Sequence, residues 1–285
     1  MFRMIALVQL HLRQEIPMSS RSVSSQQPRV TTIVGLGGNL GNVAETFEFA
    51  MNHLDEHREI KLLQVSPLYT TTPVGSNAGS GYVNAAATLE TSLAPEEFLT
   101  ALQETETRCH RKREVRWGPR TLDLDVIAYG DQCISTERLT VPHPACFYRR
   151  FVLDPVVDVA PDWRHPVIGL TARELRDRLK PRPVKIGISC DSAVIELLDQ
   201  LTDKKKIELV PANDPSSVIT LASTDFWIDS PTTVLIETET EAEKQIVKIL
   251  EQVGHSQRES RIEQQVHFML QIFVAITDTP SQIVG

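Results

Sequence analysis

Long apolar runs are scarce in this sequence, and none approaches the length of a bilayer span. The nearest approach is at the start, where Met4-Ile5-Ala6-Leu7-Val8 follows a lone Arg3. Gln9, His11 and Arg13 then break the run too early for a signal-peptide core, so no membrane association is expected. Cysteine is also rare. The four cysteines, at 109, 133, 146 and 190, make neither a CxxC pair nor a zinc spacing. They argue against a disulfide scaffold and predict reduced thiols in a cytoplasmic protein. An excess of basic charge is missing too: 29 Lys and Arg stand against 37 Asp and Glu, a formal net charge of −8. Such a chain does not coat nucleic acid, although a local basic patch can still hold phosphates. No GxxxxGK[ST] occurs, and Gly35-Leu36-Gly37-Gly38 does not complete a dinucleotide fingerprint, so neither common nucleotide fold is indicated. What is present is ordinary globular composition, 41% hydrophobic over 285 residues, enough for one large domain or two smaller ones.

Residues 18–29 are rich in Ser, Gln and Arg, and residues 1–29 read as a disordered leader, with Met18 as an alternative start. Order is expected from residue 30. A branched run at 32–37 predicts a buried strand, and the turn at 37–42 ends in Asn42, a residue suited to cap a helix. Phe47, Ala50, Met51 and Leu54 then fall at helical spacing. A second strand is expected at 61–69, a flexible loop at 76–81 and a third strand at 82–91. Pro95 opens a second helix, whose buried face is Phe98, Leu99 and Leu102. A basic stretch leads to a fourth strand at 121–129, a loop at 140–150 and a short helix or turn at 151–159. This βαββαβ order predicts an α+β, ferredoxin-like sandwich with an antiparallel sheet over residues 30–180. Pro181-Arg182-Pro183 reads as a boundary. Beyond it, strands at 184–189, 207–210, 218–222 and 233–236, with helices at 192–201 and 241–253, predict a small α/β extension over 181–285 whose role the sequence does not show.

The sharpest chemical signal is Arg116-Trp117-Gly118-Pro119-Arg120-Thr121-Leu122-Asp123-Leu124-Asp125. On a strand, Asp123 and Asp125 share one face while Leu122, Leu124 and Val126 share the other. Two adjacent carboxylates repel and call for a cation; Mg²⁺ favours one or two carboxylates plus substrate phosphates. A bare DxD is more often a solvated acidic pair, and a basic run is more often a solvated loop. Here Arg108, Arg111, Lys112, Arg113, Arg116 and Arg120 lead directly into the acids. Arginine forks beside metal-binding acids describe a site for a polyphosphate and its magnesium. His143, between Pro142 and Pro144, is held rigidly enough to donate to a phosphate. Tyr82 and Phe151 read by default as core aromatics.

Further motifs share an order and spacing. They are Gly35-Leu36-Gly37-Gly38-Asn39-Leu40-Gly41, Ser66-Pro67-Leu68-Tyr69-Thr70-Thr71-Thr72-Pro73-Val74-Gly75, Tyr82-Val83-Asn84-Ala85-Ala86, Val141-Pro142-His143-Pro144 and Arg149-Arg150-Phe151-Val152-Leu153-Asp154-Pro155. With the Arg116 to Asp125 string, the chain resembles the 6-hydroxymethyl-7,8-dihydropterin pyrophosphokinases of folate biosynthesis over about residues 30–180. The resemblance implies pyrophosphate transfer from ATP to the hydroxymethyl-dihydropterin, releasing AMP. It implies two Mg²⁺ ions on Asp123 and Asp125, with Arg111, Arg113, Arg120 and Asp125 in catalysis. Gln103, Glu106, Arg138, Leu139, Thr140 and His143 are implied on the ATP side. Thr71, Val74, Tyr82, Asn84, Trp117 and Phe151 are implied on the pterin side, with Tyr82 and Phe151 sandwiching the ring. Gly38, His110 and Arg150 depart from the usual pattern, where Ser, Gly and a small residue are common. The residue pattern also leaves open a nucleotidyltransferase on a similar sandwich, or a non-catalytic nucleotide-binding protein.

Overall fold

The computed structural model describes residues 28–71, 81–109, 120–223, 233–236, 269–270 and 272–283. The leader up to residue 27, most of the 76–81 loop, the basic segment 110–119 and the helix expected at 241–253 lie outside these residues.

The chain begins as β1 (Val30–Gly38), α1 (Val43–Asp55), β2 (Ile60–Val65), β3 (Tyr69–Thr71), β4 (Tyr82–Thr91), α2 (Pro95–Arg108) and β5 (Asp123–Tyr129). These strands make an antiparallel sheet in the order β3-β4-β1-β5, with β2 also on β4. The fold is therefore mixed α/β around an antiparallel sheet. Asn42 caps α1 as its residue type predicts, its side chain accepting from the Glu45 amide at 3.4 Å. Phe47, Ala50, Met51 and Leu54 are all buried. In α2, Pro95 occupies the first turn, and the Glu97 carboxylate accepts from the Ala94 amide at 2.9 Å. Both helices cover one face of the sheet, packing Phe47, Leu54, Phe98 and Leu102 against Val34, Leu36, Leu89 and Leu124.

The strand expected at 61–69 is two strands. Pro67 has no amide to give to a ladder, so pairing lapses between β2 and β3. Ser66 bridges the gap: its amide donates to the Ala86 carbonyl at 2.8 Å, and its hydroxyl accepts from the Ala86 amide at 2.9 Å. The loop expected at 140–150 contains a short hairpin of β6 (Ile134–Ser135) and β7 (Thr140–Val141). The segment at 151–159 is helix α3 (Arg150–Val159), which packs on the opposite face of the sheet from α1 and α2, burying Val156 and Val157 against Ile33, Ala86 and Ile127. Arg150 is buried, and its guanidinium makes two hydrogen bonds to Asp154 one turn on, at 3.0 and 3.2 Å. Burial raises the Asp154 carboxyl pKa, and the Arg150 partner opposes that rise. The unusual arginine at 150 is thus part of a buried ion pair.

Helix α4 (Ala172–Arg178), not expected from the sequence, follows, with a reciprocal cap between Thr171 and Glu174. Next come β8 (Val184–Ser189), α5 (Ser192–Leu201), β9 (Ile207–Pro211), β10 (Ile219–Ser223) and β11 (Thr233–Ile236), a parallel sheet in the order β11-β10-β8-β9. The segment after β9 crosses β8 at Gly187, where an added Cβ would lie 3.2 Å from Ala212 Cα. Residues 272–277 are helical, and β12 (Ser281–Gln282) returns to pair with β3.

Pro181-Arg182-Pro183 does not separate two cores. One apolar cluster runs from Tyr148, Leu153, Leu175 and Leu179 into Val184, Ile186, Leu198, Leu221 and Ile276. Among the described residues, no helix is long and apolar enough to cross a membrane. The four cysteines are free thiols.

Candidate active site

Directly opposed residues of an antiparallel sheet present side chains to the same face. The register sets Asn84, Gly37 and Asp123 in one row across β4, β1 and β5, and Ala86, Gly35 and Asp125 in the next. Asp123 and Asp125 therefore share a face as alternation predicts, while Leu122, Leu124 and Val126 are buried on the other. The two glycines leave the middle of this face low: a Cβ on Gly37 would sit 3.7 Å from Asn84 Oδ1 and 3.8 Å from Asp123 Cβ. Tyr82 stands two residues before Asn84 and shares its face. The Asn84 amide nitrogen donates to the Thr71 hydroxyl at 3.0 Å.

Around the acids, Arg120 forms an ion pair with Asp123. The backbone of Arg120 is pinned by Asn39, whose side chain accepts from the Arg120 amide at 2.8 Å and whose own amide donates back to the Arg120 carbonyl at 2.9 Å. Asn39, which by sequence belongs only to a turn, is thus a positioning residue; its signal is an Asn directly after the glycines. Glu106 is 3% exposed, and its carboxylate accepts from the Leu124 amide at 2.8 Å. That bond lies on the edge of β5 away from β1, between the two aspartates in sequence.

His143 lies near the same end. Its amide donates to the Ile127 carbonyl at 3.0 Å, and its Nδ1 accepts from the Ala145 amide at 3.2 Å. A neutral ring with Nδ1 accepting carries its proton on Nε2, which leaves a donor. Burial, reinforced by the Arg149 cation and opposed by Asp123, holds the His143 pKa down at about 3. Arg149 also lies over the rings of Phe151, at 5.5 Å, and Tyr148, at 5.8 Å. Its position among His143 and Phe151 makes it a further residue to which the sequence reading gave no role. At its other end, α3 meets β3: the Tyr69 hydroxyl donates to Asp158 at 2.6 Å, and burial with that bond raises the Tyr69 pKa.

On the α2 side, Arg138 reaches Thr100 at 3.3 Å, Gln103 at 3.5 Å and Glu96 at 3.6 Å. Leu139 is buried, and Thr140 pairs with Ser135. The structure thus gathers Gln103 with Arg138, and His143 with Asp123. Val74, Arg111, Arg113 and Trp117 lie outside the described residues.

Among the described residues, no group of three or more His, Cys, Asp or Glu is placed to hold a metal by itself. Two carboxylates on one exposed face fit Mg²⁺ nonetheless, because that ion commonly takes one or two protein carboxylates and completes its shell with water and phosphate oxygens.

A family model described as 7,8-dihydro-6-hydroxymethylpterin-pyrophosphokinase matches residues 33–161. A 2-amino-4-hydroxy-6-hydroxymethyldihydropteridine pyrophosphokinase of Pseudomonas aeruginosa is 44% identical over 133 residues, which is 47% of this chain and 82% of that protein. The protein of the same name from Haemophilus influenzae is 38% identical over 182 residues, 64% of this chain and 99% of that protein. Among solved structures, a Plasmodium falciparum HPPK-DHPS superposes with a TM-score of 0.43 at 13% identity, covering 61% of this chain and 53% of that one.

Proposed function

The chain belongs to the 7,8-dihydro-6-hydroxymethylpterin-pyrophosphokinase family, and from that premise we propose that the face carrying Asn84, Gly37, Asp123 and Asp125 is its active site. The activity is transfer of pyrophosphate from ATP to 6-hydroxymethyl-7,8-dihydropterin in folate biosynthesis. The observation that carries the site is the row of Asn84, Gly37 and Asp123, with Asp125 one row on: a polar amide, a floor without side chains and two carboxylates on one rigid sheet.

In this reading the pterin lies toward β4. Asn84 presents its carbonyl oxygen to donors on the pterin edge, its amide nitrogen being held by Thr71. Tyr82 and Phe151 supply the flat faces against which a conjugated ring stacks, and the family resemblance assigns Val74 and Trp117 to the same substrate. ATP lies toward α2 and the β6–β7 hairpin, with Gln103, Arg138, Leu139 and Thr140 at the adenine end and His143 Nε2 donating to a phosphate. Arg111, Arg113 and Arg120 hold the phosphates, where a preorganised charge acts most on the transition state. Asp123 and Asp125 would hold two Mg²⁺ ions, which neutralise phosphate charge and lower the pKa of the substrate hydroxyl. Glu106, bonded to the Leu124 amide, acts chiefly by fixing β5. The sheet order β5-β1-β4-β2 supports a ferredoxin-like reading of this part of the chain. Residues 30–180 carry the chemistry, and the described residues beyond 181 add to its packing; the free thiols favour a cytoplasmic setting.

Mixing the protein with Mg-ATP and the dihydropterin tests this. AMP with the dihydropterin diphosphate is expected, and Asp123→Ala and Asp125→Ala each reduce turnover roughly 10²–10³-fold, the scale of one lost transition-state contact. ADP as product, or near-normal turnover by either variant at ordinary magnesium, defeats the assignment.

A further inference from the structure

We propose that the C-terminal residues 281–283 are a built-in strand that positions Thr71 and Asn84 for the dihydropterin, an inference that rests on the active-site reading above. β3 is only three residues long, and its inner edge pairs with β4 through Tyr69↔Asn84, Thr70↔Val83 and Thr71↔Tyr82. So short a strand, open on its outer side, offers unpaired amides and carbonyls and little to hold its register. Residues 281–283 close that side. Ser281 stands opposite Thr70 and Gln282 opposite Tyr69. The Ile283 amide donates to the Leu68 carbonyl at 2.8 Å, and the Thr70 hydroxyl donates to the Ser281 carbonyl at 3.2 Å. This is strand addition within one molecule.

The tail arrives already placed. Ile272, Phe273 and Ile276, on the helical stretch just before it, are buried in the cluster shared by β8, α5 and β10. Arg182 donates to the Thr277 carbonyl at 3.2 Å, and Pro280 is buried. A strand tethered so closely to its partner has a high effective concentration, so a few hydrogen bonds suffice to keep it docked. What it fixes is the sheet next to the pterin side. Gln282, Tyr69, Asn84, Gly37 and Asp123 form one continuous row across five strands. With β3 clamped, the Thr71 hydroxyl stays within 3.0 Å of the Asn84 amide nitrogen and orients the side chain whose oxygen lies over Gly37. The residues beyond the family match thus act on substrate binding without touching the substrate.

The test compares the full chain with a form lacking residues 280–285 and with Ile283→Pro, which removes the amide given to Leu68. Dihydropterin affinity is measured calorimetrically in the presence of Mg²⁺ and a non-hydrolysable ATP analogue, alongside analogue affinity and Tm. The expected result is a loss of dihydropterin affinity of about fivefold or more, the share of one net hydrogen bond. Analogue affinity and Tm should be unchanged, and a synthetic peptide of residues 280–285 should restore part of the loss. Unchanged dihydropterin affinity in Ile283→Pro overturns the proposal. So does a parallel fall in both affinities together with Tm, which is the signature of a merely structural role. A full chain that makes no AMP would instead count against the active-site reading.

Discussion

At the scale of single residues, Glu106 and Asp123 show how carboxylates of one motif set divide their work. Asp123 faces the site and pairs with Arg120, whereas Glu106 is buried and accepts from the Leu124 amide. Glu106→Ala would leave that buried amide without its acceptor, at a cost of about 1–3 kcal/mol. Glu106→Gln keeps an acceptor oxygen and should recover most of the loss. Chemical denaturation of the two variants checks this; equal stability of both would return Glu106 to a role in binding nucleotide. At this scale much was legible in the sequence: alternation alone placed Asp123 and Asp125 on one face and Leu122, Leu124 and Val126 in the core. Asn39 and the direction of Glu106 were not, because each acts on a residue far along the chain; Arg149 was not, because its contacts with His143, Tyr148 and Phe151 depend on how the segment before α3 folds.

At the scale of elements, the turn before α4 is built on His165. Its Nδ1 accepts from the Val167 and Ile168 amides, each at 3.3 Å, and its ring packs against Trp163 and Phe147. Burial pushes its pKa down to about 4, so the folded ring stays neutral where the unfolded one, near 6.5, takes up a proton. Its contribution to stability is therefore complete above about pH 6.5 and declines as the pH falls toward 4, by on the order of 1 kcal/mol per pH unit. Urea melts between pH 4 and 7 should show that slope added to a similar one from His143, whose pKa is held lower still, and His165→Asn should make the combined slope shallower. A variant as acid-sensitive as the natural chain would place the sensitivity elsewhere. The elements themselves were mostly readable from apolar period and caps, as with Asn42 before α1 and Pro95 at the start of α2. Pro67 marks the break between β2 and β3, and Thr171 with Glu174 spells the capping box of α4, yet both segments are too short for an apolar period to reveal.

At the scale of the whole molecule, the two sheets share packing. Tyr148, Leu153, Leu175 and Leu179 are buried against residues of β8, α5 and β10, and β12 adds to the sheet of the site. Ending the chain at Lys180 would uncover those four side chains, each worth roughly 1.5–3 kcal/mol when fully buried. Such a truncation should be insoluble or melt well below the full chain. A soluble, cooperative and fully active product would show that residues 30–180 stand alone. The local sequence determined the strands and helices that can be placed from period and caps, the shared face of Asp123 and Asp125, and, through the Arg116 to Asp125 string, the chemistry. These follow from spacings of a few residues. Only the tertiary structure decided that Pro181-Arg182-Pro183 joins one core instead of dividing two, and that the last residues lie beside β3. Those contacts link positions as far apart as 70 and 281, where no local periodicity carries information about the partner.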